Sequence, residues 1–234
     1  MATVILLRHA RSTANHTGVL AGRSPGVALD EHGSAQADAL VARLAPVVLA
    51  AVVSSPMQRC VETVTPLTAA RGLQPSVDDR LAEVDYGEWT AQPLSTLAKR
   101  PLWKVVQLHP SAAVFPQGEG LAEVQSRAVA AVREWDAKIS AEHGADAVWL
   151  ACSHGDVIKA VLADALGLHL DQFQRIVVDP GSVSVVRYTE TRPFVWRTND
   201  NGGELTPLAP PPKRRRRRSP PPASDAVVGG STGA

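Results

Sequence analysis

The chain has 234 residues, 44% of them hydrophobic, and a formal net charge of +1. This suffices for one well-buried domain, and the two cysteines are too few for a disulfide scaffold. No apolar run reaches the ~20 residues that a membrane-spanning helix needs, and no signal peptide follows Met1. We therefore expect a cytoplasmic protein without a membrane span.

The first half of the chain alternates between strand and helix patterns. Thr3–Leu7 and Ala51–Ser54 are short apolar runs typical of buried strands, and Pro75–Val77 has a weaker pattern of the same kind. The segment LDEHGSAQADALVARLA has the period of an amphipathic helix. A second helix is predicted over Pro56–Ala70, because Arg71-Gly72 is a typical helix end.

The second half continues this alternation. We predict helices over Leu121–His143 and Val157–Leu166, a strand over Ala147–Cys152, and paired final strands over Ser182–Tyr188 and Phe194–Arg197. Strands that alternate with helices of this length form sheets that are covered on both faces. The predicted fold is therefore a three-layer α/β/α sandwich with a mostly parallel sheet, over residues 1–200.

Residues 201–234 differ in composition from the rest and contain the run PPPKRRRRRSPPP. Residues 207–234 hold six basic residues and one acidic residue, a net charge of +5, which leaves −4 for residues 1–206. Such a Pro- and Arg-rich segment cannot bury enough apolar surface to order itself, so we expect a disordered tail. The tail is either a solvated extension or a contact for anionic partners such as nucleic acid or lipid.

Charged and polar side chains follow three of the predicted strands, where ligands bind in sheets of this kind. The first strand runs into Arg8-His9, and the strand over Ala147–Cys152 runs into Ser153-His154. After Ala51–Ser54, Ser54 or Ser55 is expected to cap a helix whose first turn carries Arg59. The loop LAEVDYGEWT adds Glu83. Each residue alone is ordinary, but together they predict an anion site.

This set of residue types fits phosphoryl transfer through a covalent phosphohistidine. One neutral imidazole attacks phosphorus, and nearby guanidinium groups keep that imidazole neutral by lowering its pKa. The guanidinium groups also offer bidentate hydrogen bonds to the phosphoryl oxygens. A carboxyl group is needed to protonate the leaving alkoxide and then to accept a proton from water.

Five segments carry a resemblance to a known family. LLRHARSTAN resembles the RHG segment of the histidine phosphatase superfamily, also called the phosphoglycerate mutase-like family. LDEHGSAQA resembles its first-helix motif, SSPMQRCVET its second-arginine segment, LAEVDYGEWT its acid loop, and SHGDV its second-histidine segment. The segments occur in the family's order and span residues 3–190, so the resemblance covers most of the chain.

The resemblance implies roles for individual residues. His9 would be the phosphorylated nucleophile, and Glu83 would be the proton donor and then the base. The phosphate would be bound by Arg8, Asn15, Arg59, His154 and the backbone N–H of Gly155. The resemblance implies a metal-independent phosphatase that acts on small phosphorylated metabolites and needs no cofactor.

Two residues next to His9 depart from the family pattern. Ala10 stands where the family usually has glycine, and it would be strained by ~1 kcal/mol or more if the backbone required a positive φ. Arg11 stands where the family often has an acidic or polar residue. We expect Arg11 either to recruit an anionic substrate or to lie solvated on the surface.

Alternatives to the phosphatase remain at this stage. A mutase would need segments that close tightly over a bisphosphate, whereas residues 91–120 form a moderate insertion with few basic groups. Trp103 and Phe115 in this insertion are expected either to contact a ligand or to pack onto the sheet. A non-catalytic phospho-ligand binder is the second alternative. An edge strand or the insertion could support a homodimer.

Overall fold

A computed structural model of the chain describes residues 1–203 and residue 229. Its centre is one six-stranded sheet with the strand order β3-β2-β4-β1-β5-β6. The first four strands in this order are parallel, whereas β5 and β6 are antiparallel to their neighbours. The strands are β1 (Thr3–Arg8), β2 (Leu49–Ser54), β3 (Ser76–Val77), β4 (Val148–Ser153), β5 (Val183–Arg187) and β6 (Phe194–Asp200). The predicted mostly parallel α/β sheet is therefore confirmed.

Helices cover both faces of the sheet. On one face α2 and α3 pack against Ile5 and Leu7 of β1, and on the other the long α6 and α7 pack against the core that contains Val4 and Leu6. This alternation along β1 explains why its sequence reads as a continuous apolar run. The helices are α1 (Thr13–Thr17), α2 (Glu31–Arg43), α3 (Gln58–Arg71), α4 (Leu94–Leu97), α5 (Pro101–Leu108), α6 (Leu121–His143) and α7 (Gly155–Ala165).

The start of α3 differs from the prediction. Its N-cap residue is Met57, which has no capping side chain, and Pro56 precedes the helix. Ser54 donates its hydroxyl proton to the Ser55 carbonyl oxygen instead, and the Ser55 hydroxyl contacts His154. The predicted serine cap is therefore wrong: the Ser55 hydroxyl accepts the Met57 N–H at 3.3 Å, ahead of the helix, and also contacts His154, 99 residues away in the sequence.

The aromatic side chains of the insertion form part of the core. The rings of Trp89 and Trp103 stack with centroids 6.3 Å apart, and Phe115 meets Trp89 edge-on at 5.3 Å and Tyr86 at 4.9 Å. Trp103 and Phe115 are both buried. Of the two expectations for these residues, the structure favours packing onto the body of the protein.

Gly87 lies where two loops approach each other closely. Its φ is +51°, and an added Cβ would overlap the carbonyl oxygen of Pro116, which accepts the Glu88 N–H at 2.9 Å. Gly72 has a similar φ of +62°, but no atom lies within 4 Å of the corresponding Cβ position.

We expect Gly87→Ala to destabilise the protein more than Gly72→Ala does. The left-handed backbone alone costs about 1 kcal/mol, and the overlap with Pro116 should raise the loss at Gly87 to about 2–4 kcal/mol. Urea denaturation of the two variants checks this difference in the free energy of unfolding. Equal losses would show that the two loops separate without cost.

Within residues 1–203 and 229, no helix is long and apolar enough to cross a membrane. The predicted disorder of residues 201–234 falls almost entirely outside the described part of the chain. The boundary at residue 200 therefore stays a prediction.

Candidate active site

The register of the central strands brings two histidines together. Arg8, the last residue of β1, lies beside Ser153, the last residue of β4, and the His9 N–H donates to the Ser153 carbonyl oxygen at 2.9 Å. His154 follows Ser153, so its ring lies 5.2 Å from the ring of His9, centroid to centroid. The sequence placed both histidines at strand ends, and the parallel β1–β4 pairing makes these ends neighbours.

Arg59 contacts both imidazole rings with one guanidinium group. Its Nε donates to His9 Nε2 at 3.3 Å, and its Nη2 donates to His154 Nδ1 at 3.1 Å. Because a guanidinium group only donates, both ring nitrogens must accept through a lone pair. His9 Nδ1 lies 2.7 Å from the Ala10 carbonyl oxygen, which accepts its proton. This arrangement requires both imidazoles to be neutral and leaves the His9 lone pair on Nε2.

Burial and nearby positive charge both lower the pKa values of the two histidines. Burial, followed by the charges of Arg59 and Arg8, lowers the pKa of His9 well below its usual value of 6.5. Burial and Arg59 likewise lower the pKa of His154 well below 6.5. Both rings are therefore unprotonated at neutral pH, which is the form that a nitrogen nucleophile needs.

Arg8 is the second cation of the site and lines the same pocket as His9. It is fully buried, and its Nη1 donates to the Val178 carbonyl oxygen at 2.7 Å. Burial lowers the pKa of Arg8 to about 10, while the nearby Glu83 and Asp156 oppose this change. Arg8 therefore keeps its charge at neutral pH, and a bound phosphate would offset the cost of burying it.

Glu83 is the acidic group of the site and is also buried. Its Oε1 accepts the Val84 N–H at 2.9 Å, and its Oε2 lies 3.8 Å from His154 Nδ1. Burial first, and then the charge of Asp156, raise the pKa of Glu83 to about 7. At neutral pH a large fraction of Glu83 is therefore protonated and able to donate a proton.

One pocket unites most of the predicted site residues. It spans about 380 Å³ including its open mouth, and its lining includes Arg8, His9, Asn15, Arg59 and Glu83. The Asn15 side chain also caps α1, because its Oδ1 accepts the Ser12 N–H at 3.0 Å. His154 does not line the pocket itself, but its Nδ1 lies 3.1 Å from Arg59 Nη2 and 3.8 Å from Glu83 Oε2, and both of these residues do. Gly155 is the first residue of α7 and is also absent from the lining.

The two departures beside His9 have clear structural outcomes. Ala10 is fully buried, its φ is not positive, and its N–H donates to Thr63 Oγ1 at 2.9 Å, so the backbone strain considered for it does not arise. Arg11 does not line this pocket and pairs with Asp30, with Nε and Oδ2 2.7 Å apart. Its side chain is ion-paired and partly exposed.

Three residues of the site were not predicted from the sequence. The Ser55 hydroxyl lies 2.8 Å from His154 Nε2 and accepts its proton, which fixes the tautomer that Arg59 requires. Asp156 Oδ2 accepts the Tyr86 hydroxyl proton at 2.9 Å, beside the Glu83 loop. Gly229 lines the pocket from the other end of the chain. Asp156 follows the SHG segment directly, but an acid in a first helical turn is usually explained by the helix dipole alone.

The sheet has this strand order, and two histidines, two arginines and a glutamate cluster beyond the C-terminal ends of its central strands. These features define a phosphoglycerate mutase-like protein. A family model described as "Histidine phosphatase superfamily (branch 1)" matches residues 4–201. The chain belongs to this superfamily, as its sequence motifs predicted.

Curated and solved relatives agree with this assignment. Phosphoserine phosphatase 1 of Hydrogenobacter thermophilus is 29% identical over 203 residues, covering 85% of this chain and 92% of its own. Bacillus stearothermophilus YhfR has a TM-score of 0.77 at 25% identity, with 86% of this chain and 98% of that chain covered. Mycobacterial glucosyl-3-phosphoglycerate phosphatase has a TM-score of 0.77 at 24% identity, with 85% and 99% covered. The two solved structures show that the fold is shared, and the name of the Hydrogenobacter relative supports phosphatase activity in the histidine phosphatase superfamily.

Proposed function

We propose that this protein is a phosphatase that hydrolyses small phosphate monoesters through a phosphohistidine on His9. The observation that carries the proposal is the hydrogen bond from Arg59 Nε to His9 Nε2 at 3.3 Å, because it requires the lone pair of this buried neutral imidazole to be on Nε2, inside the pocket. The lone pair is able to attack phosphorus once Arg59 Nε donates to a phosphoryl oxygen of the substrate instead of to His9.

The proposed first half-reaction transfers the phosphoryl group to the protein. The lone pair of His9 Nε2 forms the N–P bond while the bond between phosphorus and the ester oxygen breaks. Glu83, protonated at neutral pH because its pKa is raised to about 7, gives its proton to the departing alkoxide. The proton on His9 Nδ1 stays on that nitrogen and keeps its hydrogen bond to the Ala10 carbonyl oxygen, which stabilises the positive charge of the phosphoimidazole.

The second half-reaction returns the protein to its starting state. Glu83, now ionised, accepts a proton from water, and the resulting hydroxide oxygen attacks phosphorus as the N–P bond breaks. Inorganic phosphate leaves, and His9 is again a neutral imidazole. The charges of Arg8 and Arg59 stabilise the three equatorial oxygens in both steps, and His154 positions Arg59 by accepting a hydrogen bond from its Nη2.

Hydrolysis is favoured over mutase chemistry by the residues around the pocket mouth. Among the described residues, the lining apart from Arg8 and Arg59 consists of small, apolar or uncharged residues and Glu83, so this part of the chain supplies no further cation for a second phosphate. Phosphoserine is the first substrate to test, because the curated relative with 92% of its length matched carries that name.

Two measurements test this proposal. The protein should release nitrophenol from p-nitrophenyl phosphate in the presence of a chelator, and acid-labile, base-stable phosphate should appear on the chain after rapid mixing. Hydrolysis of phosphoserine should be compared with that of 3-phosphoglycerate and phosphoethanolamine. Binding of inorganic phosphate without any turnover would favour the phospho-ligand binder instead.

Arg59 should influence both rate and pH dependence. We expect Arg59→Met to lower kcat/KM by ~10²–10³-fold, because the variant loses a cation at the phosphoryl oxygens. The pKa of His9 should rise at the same time, since Arg59 is the charge that lowers it most. The acid limb of the pH profile of kcat/KM should therefore move to higher pH.

Arg59→Lys is the matched control for charge. It keeps the cation but cannot donate to both imidazole rings in the geometry of the guanidinium group. The acid limb should stay near its original position in Arg59→Lys, while kcat/KM still falls. If Arg59→Met left the acid limb unmoved, the electrostatic explanation of the neutral His9 would be wrong.

A further inference from the structure

Gly229 lies inside the candidate active site although it is separated from Arg8 by 221 residues. Its carbonyl oxygen accepts a hydrogen bond from Arg8 Nη2 at 3.0 Å, and its N–H donates to Asp156 Oδ2 at 2.9 Å. It also lines the same pocket as His9, Asn15 and Arg59. A main-chain peptide group therefore occupies the space that the proposed phosphate would use.

The hydrogen-bonding groups around Gly229 complement a peptide group. Arg8 only donates and Asp156, when ionised, only accepts, which matches the one carbonyl oxygen and the one N–H of a peptide unit. Both side chains are fully buried, and Gly229 adds one hydrogen bond to each beside the partners that they have in the folded body. Arg8 would serve a phosphoryl oxygen equally well, but a carboxylate repels a phosphate dianion and favours an N–H donor.

Asp156 is held in position from its other side. Its Oδ2 also accepts the Tyr86 hydroxyl proton at 2.9 Å, and Lys159 Nζ lies 3.5 Å from its Oδ1. These contacts fix the carboxylate with Oδ2 facing Gly229. The carboxylate that accepts the Gly229 N–H is therefore held in place by the folded body of the protein.

The space around residue 229 suits glycine. Its φ is +81°, which side chains rarely adopt, and an added Cβ would lie 3.3 Å from Leu20 Cδ1 and 3.8 Å from the Tyr86 hydroxyl oxygen. A side chain at this position would therefore meet both backbone strain and the pocket wall.

We infer that Arg8 and Asp156 form a binding site for a main-chain amide within the catalytic pocket, and that Gly229 of the same chain binds there in competition with phosphate. The effect on turnover rests on the phosphatase function proposed above, whereas the effect on phosphate binding does not. The Gly229 carbonyl oxygen takes the Arg8 donor that a phosphoryl oxygen requires, so the two ligands exclude each other.

The change in apparent KM and Kd depends on the fraction of molecules in which the Gly229 peptide group occupies the pocket. If Gly229 occupies the pocket in ~90% of molecules, only ~10% are competent to bind, and the apparent KM and Kd are raised ~10-fold. The value of kcat is not affected, because substrate-bound molecules have already displaced Gly229.

Substitutions in the full chain test this inference. Gly229→Pro removes the N–H that Asp156 accepts and cannot adopt a φ of +81°. Gly203→Pro is the matched control, because Gly203 also has a positive φ of +98° and no atom lies within 4 Å of its Cβ position. The readouts are KM and kcat for p-nitrophenyl phosphate and the Kd of inorganic phosphate by calorimetry.

We expect Gly229→Pro to lower KM and the phosphate Kd by ~3–10-fold with kcat unchanged, and Gly203→Pro to change none of them. A synthetic peptide of residues 226–234, AVVGGSTGA, should raise the KM of Gly229→Pro again in a competitive manner. The same peptide with proline in place of the first glycine should have no effect.

The two readouts separate the two proposals. If no phosphate ester is turned over but the phosphate Kd falls in Gly229→Pro, the inference stands and the phosphatase function fails. If turnover is normal and neither KM nor Kd falls, or if KM rises in Gly229→Pro, the inference is overturned and the phosphatase function stands.

Discussion

Replacement of His9 by alanine is expected to reduce kcat by about 10⁴-fold or more, because His9 is the one imidazole among the described residues that line the pocket. The phosphorylated protein should disappear with the activity. Binding of inorganic phosphate should persist, since Arg8, Arg59 and Asn15 still line the pocket. Rapid-quench labelling with a radioactive substrate measures the intermediate, and calorimetry measures the retained phosphate binding.

His16→Ala is the control for the loss of a histidine near the site. His16 is exposed, lies in the short helix α1 and is absent from the pocket lining. Its replacement should change kcat by less than about twofold, in line with other surface substitutions. If His9→Ala kept more than a few per cent of the activity, the covalent mechanism would be wrong.

Glu83 should control the alkaline limb of the pH profile and the dependence on the leaving group. Activity towards phosphoserine requires a protonated Glu83, whose pKa is raised to about 7, and a neutral His9, whose pKa is well below 6.5. The value of kcat/KM should therefore fall as pH rises through about 7, and also as pH falls through the lower pKa of His9. The maximum lies between these two pKa values.

Glu83→Gln should lower kcat/KM for phosphoserine by ~10²–10⁴-fold, because the alkoxide then leaves without a proton. The loss should be much smaller for p-nitrophenyl phosphate, since nitrophenolate needs little help to depart. The alkaline limb near pH 7 should vanish in the variant. The measurement is a full pH profile of kcat/KM for both substrates.

Glu88→Gln is the matched control in the same loop. Glu88 is exposed, carries the same functional group and does not line the pocket. Its replacement should leave both limbs of the pH profile unchanged, and also the ratio of kcat/KM for phosphoserine to kcat/KM for p-nitrophenyl phosphate. An alkaline limb that persisted in Glu83→Gln would show that another group donates the proton.

The sequence allowed the regular elements to be predicted where local periodicity is strong. The helix Leu121–His143 is observed with the predicted bounds. Its 23 residues keep the amphipathic period of an α-helix throughout, and a pattern of that length is not compatible with a strand. The short helices Leu94–Leu97 and Pro101–Leu108 were not predicted. Helices of four and eight residues depend on packing against their surroundings rather than on their own propensity.

The sequence by itself determined the family, the strands and long helices, and the residue types of the site. His9, Arg59, Glu83 and His154 were each identified from the segment that carries them, since a strand end or a first helical turn is a local feature. The roles proposed for them rest on a chemistry that needs those groups. The sequence could not determine which nitrogen each imidazole offers, or how far each pKa is moved.

Only the tertiary structure decided the hydrogen bonds that cross between elements. The Arg59 guanidinium sets the protonation of two rings that lie 50 and 95 residues away from it, and the Ser55 hydroxyl fixes the tautomer of His154 instead of capping a helix. The contact of Gly229 with Arg8 spans almost the whole chain. Such contacts depend on which chain segments meet in space, and no local pattern of residues specifies that.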